Sequence, residues 1–254
     1  MFNIVDYPLV LFAVTFAILA ISARLGVLVF KGKPLDAELK ESFGVVKAAT
    51  LTLLGLLIGF AFSMAVSRYD QRKNLEEAEA NAIGTEIVRL DLLPAAEASK
   101  ARALLRSYLD LRIRNYTTRD GEALRQIDAE TAKLQGELWK AVAVPASAQP
   151  NPLMALVVAG MNDVLNSQGY TQAAWWNRIP IAAWGLVVTI AICANVLIGI
   201  GSTRAQTERF LLLISPLVIA ISFLLIADID SPRGGLIRVN PQNLHSLADS
   251  LGAP

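Results

Sequence analysis

The sequence predicts an all-α membrane protein: four transmembrane helices, with an extramembrane helical bundle continuous with the second span. Three observations carry this. The 254 residues are 54% hydrophobic and 18% charged, with a mean hydropathy of +0.46, a balance outside that of ordinary soluble domains. Four uncharged runs are each about as long as a bilayer crossing. The roughly hundred residues between the second and third runs are rich in Ala, Leu, Glu, Arg and Gln and show almost no strand alternation.

The first run, Tyr7 to Ala23, continues past Arg24 to Phe30 and is long enough to span if Arg24 snorkels or faces protein. Asp6, with no Lys or Arg before it, argues for a retained anchor rather than a signal peptide. A short polar connection follows, with Lys31, Lys33, Pro34, Asp36, Glu38, Lys40, Glu41 and Lys47 in or around it. Ala48 to Val66 is then uncharged, and no Gly or Pro signals a stop until Pro94. This predicts one helix from about Phe43 to Leu92, on the order of 75 Å long, half in lipid and half out.

One face of that helix is made of small and polar residues. Ala48, Thr52, Gly55, Gly59, Ser63 and Ser67 recur at helical spacing, and Asp70, Asn74, Ala78, Asn81 and Thr85 continue the line outward. Gly55 and Gly59 make a small-xxx-small motif, which lets helix backbones approach closely. Two readings follow: packing against a neighbouring helix of the same chain, or a bundle of symmetry-related copies around a pore.

Beyond the second span, Pro94 opens a helix through Leu105 and Tyr108, Asp120 caps another carrying Ile127, Leu134 and Leu138, and Pro145 to Pro152 reads as a loop. Asn151 before Pro152 marks the start of a helix through Val157, Met161 and Val164. Trp175, Trp176 and Trp184 suggest the headgroup level, since indoles favour it. Ile179 to Thr203 is the third span and Phe210 to Ala227 the fourth, with Pro216 expected to kink it. The polar connection between them runs from Arg204 to Arg209. The tail holds an extended candidate, Leu236 to Val239, and a short amphipathic helix. The expected organisation is residues 1–67 for spans 1 and 2, 68–178 for the helical domain, 179–228 for spans 3 and 4, and 229–254 for the tail.

Four spans place both termini and the helical domain on one side of the membrane. Basic residues near the loops divide almost evenly, leaning toward a helical domain outside the cytoplasm. The expected location is a cell inner membrane.

The chemistry available is narrow. Net charge is +1, with one cysteine, Cys193, and one histidine, His245. That gives no basic stripe for nucleic acid and leaves a catalytic triad or a multi-histidine metal site without its parts. No enzymatic constellation is found, no catalytic residue is assigned, and no cofactor is called for. Asp228 and Asp230, a DxD at the end of the fourth span, are weak candidates for a cation; the alternative is a helix end tied down by Arg233 and followed by a Gly-Gly turn. Arg68, Arg72, Lys73, Glu76 and Glu77 either pair at i,i+4 on a solvated face or, in an oligomer, stack as charge rings at a pore entrance.

Gly55-Leu56-Leu57-Ile58-Gly59-Phe60, Tyr69-Asp70, Glu79-Ala80-Asn81-Ala82-Ile83, Leu93-Pro94 and Asp230-Ser231-Pro232-Arg233-Gly234-Gly235-Leu236-Ile237, in this order, resemble the bestrophin-like domain family of bacterial and plant membrane proteins. The resemblance covers nearly the whole chain. It implies a distant similarity to bestrophins, pentameric anion channels with a long central neck helix and a helical domain between their second and third spans. A bestrophin-like orientation would put the domain in the cytoplasm, against the charge count. The long acidic cluster that forms the calcium clasp of animal bestrophins is missing, and the resemblance supplies no catalytic or binding residues.

The expectation is an oligomeric ion channel, with anions the ion class that the resemblance implies. Its partners are further copies of itself, as a pentamer on the same ground, the lipid bilayer and inorganic ions, with no nucleic acid. Thr52, Gly55, Gly59, Ser63, Ser67, Asp70, Asn74 and Asn81 would line the path, and Phe60 or Phe62 would form an apolar constriction. The competing expectation is a non-conducting scaffold or sensor whose helical domain binds a partner or ligand.

Overall fold

The computed structural model of the chain describes residues 4–29, 36–202 and 210–252. Every regular element among them is helical. The connections expected around Lys31 to Pro34 and from Arg204 to Arg209 lie outside the described residues.

Eight helices follow in order: α1 (Pro8–Val29), α2 (Ala37–Arg89), α3 (Ala95–Thr117), α4 (Gly121–Ala148), α5 (Pro152–Trp176), α6 (Ile181–Ile200), α7 (Leu211–Asp230) and α8 (Gln242–Gly252). The chain divides into two compact units, residues 1–68 with 178–238 and residues 69–177 with 239–254. Four helical stretches, including α1, α7 and the apolar part of α2, are long and apolar enough to cross a membrane.

The start signals act through their side chains. Asp120 accepts the Ala123 N–H at 2.7 Å, and Asn151 accepts those of Leu153 and Met154 at 2.9 and 3.0 Å, with Pro152 in the first turn. The loop expected from Pro145 to Pro152 is shorter than that. Helix α4 runs on to Ala148 with Pro145 inside it; at the last turn a missing N–H removes one bond, and the following Ala-Ser-Ala keeps helical propensity. Helix α2 begins earlier than expected, at Ala37, and ends in a 3-10 turn, Leu90–Leu92. Helix α7 carries on past Ala227 to Asp230. Leu236 to Val239 forms no strand.

In the first unit, α1 packs on α6 through small residues. A Cβ on Gly26 would meet the Val196 carbonyl, and one on Gly199 would meet the Ala23 carbonyl. Ala23, Ala191 and Ala194 are fully buried beside them. Close backbone approach lets dispersion act where lipid leaves no hydrophobic drive between helices. Close small-residue packing is therefore found between α1 and α6, and not at the Gly55–Gly59 face of α2. Buried hydroxyls stay within their own helices: Thr15 donates to the Leu11 carbonyl at 2.7 Å and Ser22 to that of Ile18 at 2.8 Å.

In the second unit, Ile83, Leu90, Leu105, Tyr108, Leu138, Val157, Met161, Val164 and Leu244 form one buried cluster from α2, the turn after it, α3, α4, α5 and α8. Trp175 belongs to this core, its ring edge-on to Tyr116 at 5.1 Å, and Trp184 is buried against Phe223 in the first unit. Of the three tryptophans expected at headgroups, only Trp176 is exposed. Packing took the other two because an indole buries more apolar area than any other side chain.

A charged group sits inside that cluster. Glu79 is fully buried and ion-paired with Arg112; Tyr116 and Thr171 each donate to its Oε2 at 3.3 Å. Burial works against the charge on Arg112, but the Glu79 carboxylate beside it more than offsets this and leaves its pKa above the ordinary value. Burial, and then the charge of Glu79, push the Tyr116 phenol up, so it remains a donor. One turn earlier, Glu76 accepts the Leu244 N–H at 3.0 Å and the Asn243 side-chain amide at 2.6 Å, docking the start of α8.

Two outcomes test these contacts. Gly199→Ala should lower the thermal midpoint in detergent, since overpacking against backbone typically costs about 1–3 kcal/mol. Arg112→Met should cost about 3–5 kcal/mol by stranding Glu79, and adding Glu79→Gln to that variant should recover part of the loss; a double variant no more stable than the single one would show that the pair carries no such coupling.

Candidate functional site

Helix α2 is packed along one side only. Leu54, Ala61, Ala65, Arg72, Glu76, Glu79, Ile83 and Glu86 are buried, at spacings of three, four and seven, which place them on one face. The opposite face is uncovered from end to end: Ala48, Thr52, Gly55, Gly59, Ser63, Ser67, Asp70, Asn74, Ala78, Asn81 and Thr85 are all exposed. A Cβ added to Gly55 or Gly59 would meet nothing within 4 Å. Packing of this stripe against a neighbour in the same chain, one of the two readings of the sequence, is therefore not what the fold does.

The expected charge rings divide by burial. Arg72 and Glu76 are 2% and 1% exposed, inside the helical unit, so neither an i,i+4 pair on a solvated face nor a pore ring describes them. Arg68 pairs with Asp230 at 3.5 Å. Lys73 and Glu77 are exposed. At 3.6 residues per turn, Glu38, Glu41, Asp70 and Glu77 fall on the side of the small-residue stripe, and all four are exposed. Lys40, Lys47, Arg68 and Arg72 fall on the other side, and Lys73 lies about a quarter turn from the Asp70 and Asn74 line. Of the bases of α2, Lys40, Lys47, Arg68 and Arg72 thus lie away from the uncovered face, while Lys73, five turns beyond Gly55 and exposed, stands at its edge beside Glu77.

Phe60 and Phe62 are 58% and 39% exposed. Two residues apart on a helix, they stand on opposite flanks of the stripe. Phe60 lines an apolar groove of about 450 Å³ with Met64, Ile179, Trp184 and Phe223.

Asp228 and Asp230 form a structural clasp. The Asp228 carboxylate accepts the N–H groups of Leu236 and Ile237, both at 2.8 Å. Asp230 accepts the Ile179 N–H at 3.2 Å and holds Arg68. Their oxygens are committed to separate backbone segments, and the described residues contain no cluster of three or more His, Cys, Asp or Glu. Asp6 ion-pairs with Arg178, and its carbonyl lies where a side chain on Gly234 would be; Asp228 blocks the same space at Gly235. The Gly-Gly pair is required because backbone and carboxylate occupy that space. Sequence spacing alone presents a DxD as open ligands, and the turn that satisfies it comes from residues eight and nine positions later.

Asn195 and Glu86 are polar residues that the uncovered face does not include. Asn195 is fully buried on α6, donates to the Ala191 carbonyl at 2.8 Å within its own helix, and leaves Oδ1 without a partner. Glu86, on the buried side of α2, accepts no hydrogen bond at either carboxylate oxygen. Helical periodicity could have placed Glu86 in the interior, four residues after Ala82 and three after Ile83, yet a carboxylate reads as surface in any composition-based scan.

The arrangement has known likenesses. The fold is similar to that of a bacterial bestrophin homolog from Klebsiella pneumoniae, with a TM-score of 0.64 and 14% identity over 94% of this chain and 95% of that one. A leucine-to-threonine variant of the Klebsiella pneumoniae homolog is matched with a TM-score of 0.62 and 13% identity, over 95% of this chain and 99% of that one. Identity this low makes the likeness one of fold. No curated protein matches the chain in sequence. The family model for the bestrophin-like domain matches residues 10–244; with four membrane-length helices, the chain is a membrane protein that belongs to the bestrophin-like domain family.

Proposed function

We propose that the protein is an oligomeric ion channel of the inner membrane in which copies of α2 turn their uncovered faces toward a common axis. The observation that carries this is the exposure of an unbroken small and polar stripe along a 53-residue helix. In lipid, a glycine and hydroxyl face without a partner in its own chain forgoes packing that another backbone would supply. A second copy, or a water-filled path between copies, accounts for it. Membership of the bestrophin-like family supports the same reading, and the resemblance to pentameric channels makes five the subunit number to test.

The charge on that face points to cations. Asp70 and Glu77 would repeat as rings of carboxylates, with Glu38 and Glu41 at the other end, and rings of one sign concentrate the opposite ion. Anion preference, implied by the resemblance, would need bases to outweigh acids on this face, and there Lys73 stands at the edge beside the exposed acids Glu38, Glu41, Asp70 and Glu77. Asn74, Asn81, Ser63 and Ser67 would offer dipoles along the path.

The scaffold or sensor reading rests on a different feature, a groove of about 490 Å³ between α4 and α5 lined by Trp139, Met154 and Asn162. Its volume is that of a ligand site, but it is wide open where ligand pockets enclose most of their ligand.

Two measurements test the channel. The detergent-corrected mass should be a discrete multiple of the 27.4 kDa chain; a monomer would sink the central path. In planar bilayers under a KCl gradient the reversal potential should lie toward that of K⁺, and Asp70→Asn with Glu77→Gln should move it toward zero by at least half. An unchanged potential would remove these carboxylates from the path, and an absence of conductance in the oligomer would favour the sensor.

A further inference from the structure

Glu86 is a buried carboxyl of the helical unit to which neither the uncovered face nor the Glu79–Arg112 pair gives a role. It lies on the buried side of α2, is 0% exposed, and accepts no hydrogen bond at either oxygen. Its Oε2 and the Nη1 of Arg89 both occupy the space that a Cβ on Gly160 of α5 would fill. The absence of a side chain at position 160 is thus what admits the carboxyl to the seam between α2 and α5. Around it the seam is apolar, with Ile83, Ile87 and Leu90 on one side and Val157, Met161 and Val164 on the other.

The charged groups around this point are few. Arg89 faces it from α2 and Asp163 from α5. Helix α8 reaches the neighbouring turn through Leu247, 3.2 Å from the Cβ position of Gly84, while its titratable His245 and Asp249 are exposed. Asp91, in the turn after α2, is held by Arg102 at 2.5 Å. Arg89 approaches Glu86 without an ion pair between them, so an ionised Glu86 would be a buried charge with incomplete compensation.

We propose that Glu86 is a proton-controlled latch: protonated, it seals the α2–α5 seam against Gly160, and on losing its proton it drives local opening of that seam. Burial pushes the carboxyl up, Arg89 pulls it back in part and Asp163 adds to the rise, to about 8. In an opened seam the group is solvated and titrates near the ordinary 4.5. Between those two values the closed form binds the proton that the open form releases, so each pH unit favours opening by about tenfold. Below the lower value both forms are protonated and above the upper both are ionised, so the dependence is flat at either end. The device acts within the helical unit and needs no assumption about conduction.

Hydrogen exchange of the full-length protein in lipid nanodiscs, corrected for the intrinsic pH dependence of exchange, reads this at the amides of residues 157–164. Their protection should fall about tenfold per pH unit from pH 6.5 to about 8 and then level off. Glu86→Gln, which keeps the shape and cannot ionise, should give protection independent of pH, and Glu86→Met should do the same if the glutamine variant does not fold. Constant protection in the native protein, or the same fall with pH in the variants, would overturn the latch.

Discussion

One helix packed along one face is the constraint on which the rest of this molecule depends. Helix α2 contributes to both compact units, and the residues it buries follow a single helical line through lipid-length and water-exposed stretches alike. In the first unit that line is apolar and small: Leu54, Ala61 and Ala65. In the second it includes Arg72, Glu76, Glu79 and Glu86, charges that a solvated helix would have turned outward. Burying Glu79 and Glu76 demands partners, and those partners tie α2 to α3, α5 and the start of α8. Whatever α2 buries on one side, it leaves uncovered on the other.

The electrostatic consequence is a sorting of charge around the helix. Glu79 is paired inside with Arg112, and Glu76 accepts hydrogen bonds from backbone and amide donors. Outside, the acids Asp70 and Glu77 stand on the uncovered face, with Lys73 at its edge. A buried ion pair is weak evidence for stability, because desolvation offsets much of its Coulomb gain. It is better evidence for register: a helix with these charges inside cannot rotate without stranding them. That fixes which side of α2 is left uncovered.

The motif near the end of the chain is structural. Asp228, Asp230, Gly234 and Gly235 close the end of α7 through backbone donors and a turn too crowded for side chains. Arg68 and Arg178 complete the clasp within the first unit. Its carboxylates are spent on holding the chain.

The sequence by itself determined the helical class, the four membrane-length runs, the caps at Asp120 and Asn151 and the unbroken second helix, because each depends on local periodicity, run length or a side chain reaching two or three residues along. It also drew the small-residue stripe correctly as one face. Tertiary structure alone decided that this face is left uncovered by its own chain, since periodicity groups residues on a side without saying which side is covered. The same limit explains Arg72 and Glu76, where i,i+4 spacing allows a surface pair and only contacts from other helices make them interior. It explains Trp175 and Trp184 too, placed by the cavities that neighbouring helices leave, and the close packing of Gly26 on Gly199, glycines 173 positions apart in the chain. Local geometry is written in nearest neighbours; burial is a property of the whole packed chain, and there the sequence offers composition but no partners.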